Sequence, residues 1–73
     1  MNKRALALVY LRELIEFVGP GFHIDTDFID YVPEYTSEQI IECQAKLDFV
    51  IENLDDPYAD GLDMYMEMFY GAY

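Results

Sequence analysis

The sequence contains one cysteine, one histidine and one serine, which are Cys43, His23 and Ser37. Many catalytic and metal sites depend on these residue types. A lone cysteine cannot form an internal disulfide, and without a cysteine/histidine cluster no structural zinc site is expected. No serine or cysteine can be paired with a histidine to form an activated nucleophile, and no glycine-rich phosphate loop is present. We therefore predict that the chain is not an enzyme and holds neither a cofactor nor a metal ion.

Long apolar runs are also missing. The apolar stretch from Ala5 to Leu11 is followed at once by Arg12 and Glu13, well short of the roughly 20 residues that a membrane-spanning helix needs. No small-residue cleavage pattern follows it, so a signal peptide is not expected. The sequence thus predicts no membrane partner and a cytoplasmic location.

Basic residues are scarce, with four against fifteen acids and a net charge of −11. Binding to nucleic acid depends on lysine and arginine that neutralise phosphates, so direct nucleic-acid binding is not expected. The acids are concentrated after Val18, where Lys46 is the single basic residue. Because 53% of the residues are apolar and 16% are aromatic, the chain can nevertheless fold, and its length allows one domain over residues 1–73.

The apolar periodicity predicts an all-α, compact three-helix domain with a short aromatic and acidic loop between the first and second helices. In the first helix one broad face is apolar, and the Gly19-Pro20-Gly21 segment ends the helix. That face comprises Ala7, Leu8, Tyr10, Leu11, Leu14, Ile15, Phe17 and Val18.

The second helix has the clearest start signal, because Thr36 and Gln39 form a capping-box pattern that places its first residue within about two residues of Ser37. Its predicted core stripe consists of Ile40, Cys43, Leu47, Val50, Ile51 and Leu54, with Ile41 and Phe49 facing away from it. Asp55-Asp56-Pro57 then ends this helix and begins the third.

The third helix, from Tyr58 to Tyr70, is apolar except for a narrow strip of Asp60, Asp63 and Glu67. Gly61 lowers its helix propensity and suggests a close packing contact there. The apolar arc is wider than one small core requires, so part of it is a candidate self-association surface. The residues we assign to that surface are Met64, Tyr65, Met68 and Tyr70.

The connection after the first helix holds His23, Asp25 and Asp27, which suggests a cation site as a less favoured hypothesis. A calcium-binding EF-hand loop beginning at Asp25 would need glycine in place of Asp30 and glutamate in place of Thr36, and the sequence has neither. The simpler interpretation is a capped turn held on the core by its aromatic residues.

The same segment, Gly-Phe-His-x-Asp-Thr-Asp-Phe-x-Asp-Tyr-Val over residues 21–32, resembles a pattern in short uncharacterised bacterial and phage proteins. The resemblance extends to the capping region near Glu38, and it departs from those proteins at Ile24, where they tend to have proline. It implies an all-helical fold in a bacterial cell or a phage-infected host, and it implies no activity. In size and charge the chain also resembles small acidic phage inhibitors, including DNA mimics of the anti-restriction and anti-CRISPR type.

Two functions remain. In the first, the chain inhibits or modulates a basic nucleic-acid-processing protein, such as a nucleic-acid enzyme or a CRISPR effector, through acids that imitate the phosphate row of DNA. The partner-binding residues would be Glu38, Glu42, Asp48, Glu52, Asp55, Asp56, Asp60 and Asp63. In the alternative, the apolar face of the third helix makes the chain a regulatory interaction module, for example a homodimer, and the acids only keep it soluble.

Overall fold

The computed structural model describes residues 2–20, 22–24 and 35–71. Three helices make up most of this part of the chain: α1 (Lys3–Val18), α2 (Ser37–Asn53) and α3 (Pro57–Tyr70). The radius of gyration is 11.9 Å, near the value of about 11 Å expected for a compact chain of this length. The prediction of an all-α, compact three-helix domain is confirmed. Most of the aromatic and acidic loop predicted between the first two helices lies outside the described residues, because residues 25–34 are not among them.

The helix ends follow the local sequence signals. Thr36 Oγ1 accepts a hydrogen bond from the Gln39 amide at 3.1 Å, and Gln39 Oε1 accepts one from the Thr36 amide at 2.9 Å, so the capping box is confirmed. Asp56 caps α3 by accepting from the Ala59 amide at 3.1 Å, with Pro57 as the first helical residue. These bonds satisfy amide groups that have no acceptor inside the helix.

Gly19 ends α1 with a φ of +81°, a backbone conformation that residues with a Cβ rarely adopt. Its amide still donates to the Ile15 carbonyl at 2.8 Å. The chain therefore leaves the helix axis immediately after Val18, and Phe22 and Ile24 of the connection are buried.

The core is built around α1. This helix makes its main packing contact with α2 and a smaller one with α3. Burial of apolar area contributes about 25 cal/mol per Å² to stability, so the α1–α2 contact is the main source of that contribution among the three helices. The buried residues are Ala7, Leu11, Leu14, Ile15, Phe22, Ile24, Cys43, Leu47, Val50 and Leu54.

Three positions differ from the predicted helix faces. Ile51, assigned to the core stripe, is 50% exposed, and Phe17, assigned to the core face of α1, is 43% exposed. Phe49, expected to face away, packs edge-on against Tyr10 with ring centroids 5.3 Å apart. Helical periodicity gives only the mean direction of a face, whereas the position of the neighbouring helix decides which flank of that face is covered.

Candidate functional site

The four predicted contact acids of α2 are exposed, and three of them lie on the side opposite the buried Cys43, Leu47 and Val50. Helical spacing places Glu38, Asp48 and Glu52 on one stripe, with Glu42 at its edge. Between the ends of this stripe lies Ile41, whose exposed fraction of 69% confirms that it faces away from the core. The stripe extends over about 21 Å, at 1.5 Å per residue.

The other four predicted acids lie at the α2–α3 corner and on α3. Asp55, Asp56 and Asp63 are exposed, and Asp60 is half-buried. Asp60, Asp63 and Glu67 follow one another at helical spacing and form the acidic side of α3, as expected. Because α2 and α3 both pack on α1 rather than closely on each other, the structure has two acidic rows that meet at the corner.

The fold uses few of these eight carboxylates. Glu42 forms an ion pair with Lys46, Asp56 caps α3, and Asp48 accepts from Gln44 Nε2 at 3.1 Å. No cation within residues 2–20, 22–24 and 35–71 lies within ion-pair distance of the other five, which are Glu38, Glu52, Asp55, Asp60 and Asp63. Like charges four residues apart on a helix repel, so most of this charge does not stabilise the fold.

Lys46 is the centre of a cluster that the sequence analysis did not identify. Its Nζ atom lies 3.1 Å from Glu13 Oε2 on α1 and 3.1 Å from Glu42 Oε1 on α2, and 5.9 Å from the centroid of the Tyr10 ring. The hydrogen bond to Glu42 raises the pKa of Lys46, assisted by the bond to Glu13 and opposed by burial. Glu13 and Lys46 are 33 positions apart in sequence, so no local pattern could have shown the pair.

One concave surface lies between α1 and α2, and another lies between α3 and the connection after α1. The larger, which we call the α1–α2 groove, has a volume of about 420 Å³ and is lined by Glu13, Leu14, Glu16, Phe17, Gln39, Glu42, Cys43 and Lys46. The smaller, the α3 groove, has a volume of about 220 Å³ and is lined by Phe22, His23, Ile24, Tyr58, Gly61, Leu62 and Tyr65. The first combines an apolar floor with a charged rim, whereas the second is mostly aromatic and aliphatic.

The predicted self-association residues of α3 are divided between the core and the surface. Met64, Tyr65 and Met68 are partly buried against the core, and Tyr70 is exposed. The Tyr65 hydroxyl also donates a hydrogen bond to the Pro20 carbonyl. The apolar surface that α3 exposes instead consists of Tyr58, Leu62, Phe69 and Tyr70, because the helix turns its Gly61 side toward α1.

Of the three residues in the hypothetical cation site, the structure describes His23. His23 is exposed, and its ring lies edge-on to Tyr58 with centroids 6.4 Å apart. Asp25 and Asp27 lie outside the described residues. Among the residues that are described, no three histidine, cysteine or acidic side chains are grouped so that they could hold a metal ion.

Cys43 is buried, as the sequence predicts, and forms part of the floor of the α1–α2 groove. Burial raises the pKa of its thiol, and the nearby Lys46 opposes this shift. The thiol is therefore protonated at neutral pH, and a protonated buried thiol is a poor nucleophile.

Within the described part of the chain, no helix is long and apolar enough to cross a membrane. Comparison of the chain with protein-family models, with curated proteins and with solved structures found no match. The functional interpretation therefore depends on the surfaces described above.

Proposed function

We propose that the protein is a small, non-enzymatic acidic modulator that binds a basic nucleic-acid-processing protein, such as a nucleic-acid enzyme or a CRISPR effector. The observation that carries this proposal is the exposure of the predicted carboxylates: seven of the eight are exposed and Asp60 is half-buried. Five of them have no ion-pair partner among the described residues. Such a surface offers its charge to a partner, and a complementary field would accelerate encounter and exclude wrong partners.

The spacing of the charges suggests how much of the surface is used. Four carboxylates over about 21 Å of α2 lie on average about 7 Å apart along the helix axis, whereas duplex DNA carries one charge about every 1.7 Å of its axis. The α2 row alone is therefore sparser than the DNA that it would imitate. For this reason we include the corner acids Asp55 and Asp56, and Asp60 and Asp63 of α3, in the binding surface, and leave Glu67 outside it.

The test is an affinity capture from nuclease-treated bacterial lysate, with the immobilised chain as bait and elution by rising salt or by duplex DNA. Glu38, Asp48 and Glu52 are reversed to lysine singly and together. Glu67→Lys is the control, because it makes the same charge change as each single variant at an acid outside the predicted surface. We expect a basic protein that duplex DNA displaces, and we expect the triple variant to lose it while remaining folded by circular dichroism.

Three results would contradict the proposal. The triple variant could retain the captured protein to the same salt concentration as the wild type, or duplex DNA could fail to displace that protein. The third is a Glu67→Lys variant that loses as much of the captured protein as each single variant does. Salt must weaken the complex, since attraction between exposed opposite charges is screened.

Exposed apolar side chains on α3 favour a second candidate function, a self-associating regulatory module. Leu62 is 62% exposed. Tyr58, one turn before it, and Tyr70, at the end of the helix, are exposed as well. In this case salt acts in the opposite direction, because it screens repulsion between two protomers of charge −11. Sedimentation of the wild type and of Leu62→Gln at low and high salt tests it: a dimer that strengthens with salt and is lost in the variant supports self-association.

A further inference from the structure

We propose that the α1–α2 groove receives an arginine side chain of the basic partner, with the side-chain stem on the apolar floor and the guanidinium at the carboxylates of the rim. This inference rests on the proposed function and assigns a specific contact to it. It also adds Glu13, Glu16 and Phe17 of α1 to the predicted binding surface, which included no residue of α1.

The shape of the groove and its lining suit such a side chain. Its floor includes Leu14, Phe17 and the buried Cys43, and its rim includes the carboxylates of Glu16 and Glu42. Phe17 is 43% exposed although it lies on the apolar side of α1. Its ring packs against that of Tyr35, with centroids 4.7 Å apart, so an aromatic pair lies beside the carboxylates.

The groove already holds a cation of the chain itself. Lys46 Nζ lies 3.1 Å from one oxygen each of Glu13 and Glu42, and Tyr10 places an aromatic ring 5.9 Å away. Carboxylates and an aromatic ring thus surround one ammonium group, while Glu16 forms an ion pair with the exposed Arg12 at 3.2 Å. The groove lining contains three glutamates and one lysine, and Arg12 adds one cation beside Glu16. A net negative charge remains, and it favours a further cation.

Arginine fits this lining better than lysine or an apolar side chain. A guanidinium is planar and weakly hydrated, so it can stack on the Phe17 ring while its donors bind a carboxylate. An ammonium group is strongly hydrated and lacks the planar shape that stacks. An apolar occupant would displace water from the charged rim and supply no hydrogen-bond donor in its place, which is unfavourable.

The experiment measures the affinity of a fluorescein-labelled hexa-arginine peptide by anisotropy, with a hexa-lysine peptide of the same label for comparison. The wild-type chain should bind the arginine peptide more tightly. Phe17→Ala should weaken binding of the arginine peptide by about fivefold to tenfold, the effect of losing one cation–π contact. It should also reduce the difference in affinity between the two peptides. Val9→Ala, at another half-exposed apolar position of α1, is the matched control and should leave both affinities unchanged.

Lys46→Met removes the competing cation and should tighten binding of the arginine peptide, an effect that partial unfolding would not produce. Arg4→Met makes the same charge change at an exposed residue outside the groove, and should tighten binding less. Amide shifts in two-dimensional NMR should map to the groove lining in the wild type.

Equal effects of Lys46→Met and Arg4→Met, or of Phe17→Ala and Val9→Ala, would overturn the inference. NMR shifts confined to the stripe of Glu38, Asp48 and Glu52 on α2 would also overturn it. None of these results bears on DNA displacement of the captured partner. The proposed function therefore fails or stands by its own test.

Discussion

Gly61 of α3 lies over Leu11 of α1, and a Cβ placed on Gly61 would stand 3.9 Å from Leu11 Cδ1. This distance is an ordinary van der Waals contact. The sequence suggested a close packing contact at Gly61, and the structure shows a buried glycine with enough space for a methyl group.

We therefore expect Gly61→Ala to stabilise the protein. Alanine is favoured over glycine inside a helix by about 0.8–1.0 kcal/mol, and the new methyl group meets Leu11 without a clash. Urea unfolding followed by circular dichroism measures the change. Gly19→Ala is the contrasting variant, because Gly19 has a φ of +81° and a Cβ there should cost about 1–3 kcal/mol. A destabilised Gly61→Ala variant would show that α3 packs more tightly on α1 than the structure indicates.

The hydrogen bond from Tyr65 to the Pro20 carbonyl joins α3 to the turn after α1. We expect Tyr65→Phe to lower the free energy of unfolding by about 0.5–1.5 kcal/mol, the net value of one hydrogen bond. Tyr70→Phe removes the same hydroxyl from an exposed ring of the same helix, and it should have no measurable effect. Equal changes in the two variants would mean that the Tyr65 bond contributes nothing to stability.

Glu38 and Glu52 should respond to neutralisation with opposite signs. Glu38 lies in the first turn of α2, where a negative charge interacts favourably with the helix dipole, so Glu38→Gln should cost about 0.3–1 kcal/mol. Glu52 lies in the last turn, four residues after Asp48, so Glu52→Gln should stabilise by a similar amount, about 0.3–1 kcal/mol. Thermal melts at low salt measure both. Shifts of the same sign would show that net charge, rather than helix position, governs stability.

Burial of Cys43 makes stability depend on pH. The pKa of its thiol is raised above the ordinary value of 9.0, so the folded state keeps a proton that the unfolded state releases. Stability from this group is present below that value and is lost as pH rises through the folded-state pKa. Urea unfolding at neutral and alkaline pH should show a larger loss for the wild type than for Cys43→Ala. The two proteins differ only at position 43, so an equal loss would contradict the contribution of Cys43.

Burial of Cys43 also predicts that its thiol reacts slowly with alkylating reagents. Iodoacetamide should modify Cys43 slowly in the folded chain and rapidly in urea, because only the exposed thiolate reacts. Rapid modification of the folded protein at neutral pH, followed by mass spectrometry, would contradict the buried position of this side chain.

The sequence by itself determined the three helices and most of their ends. The Thr36–Gln39 capping box, the Asp56–Pro57 start of α3 and the glycine at the end of α1 were all predicted, and the structure confirms them. Each depends on hydrogen bonds or backbone conformations within a few residues, so the information is local. The exposure of the α2 acids also follows from periodicity, since a charged side chain is costly to bury without a partner.

Only the tertiary structure decided which flanks of the helices are covered. The packing of Phe49 on Tyr10, the exposure of Ile51 and the turning of Met64 and Met68 toward the core depend on where a second helix lies. The Glu13–Lys46 pair and the α1–α2 groove likewise combine residues from two helices. Local patterns specify the axis and mean face of each helix, but the rotation and approach of helices packed on α1 are set by side chains distant in sequence.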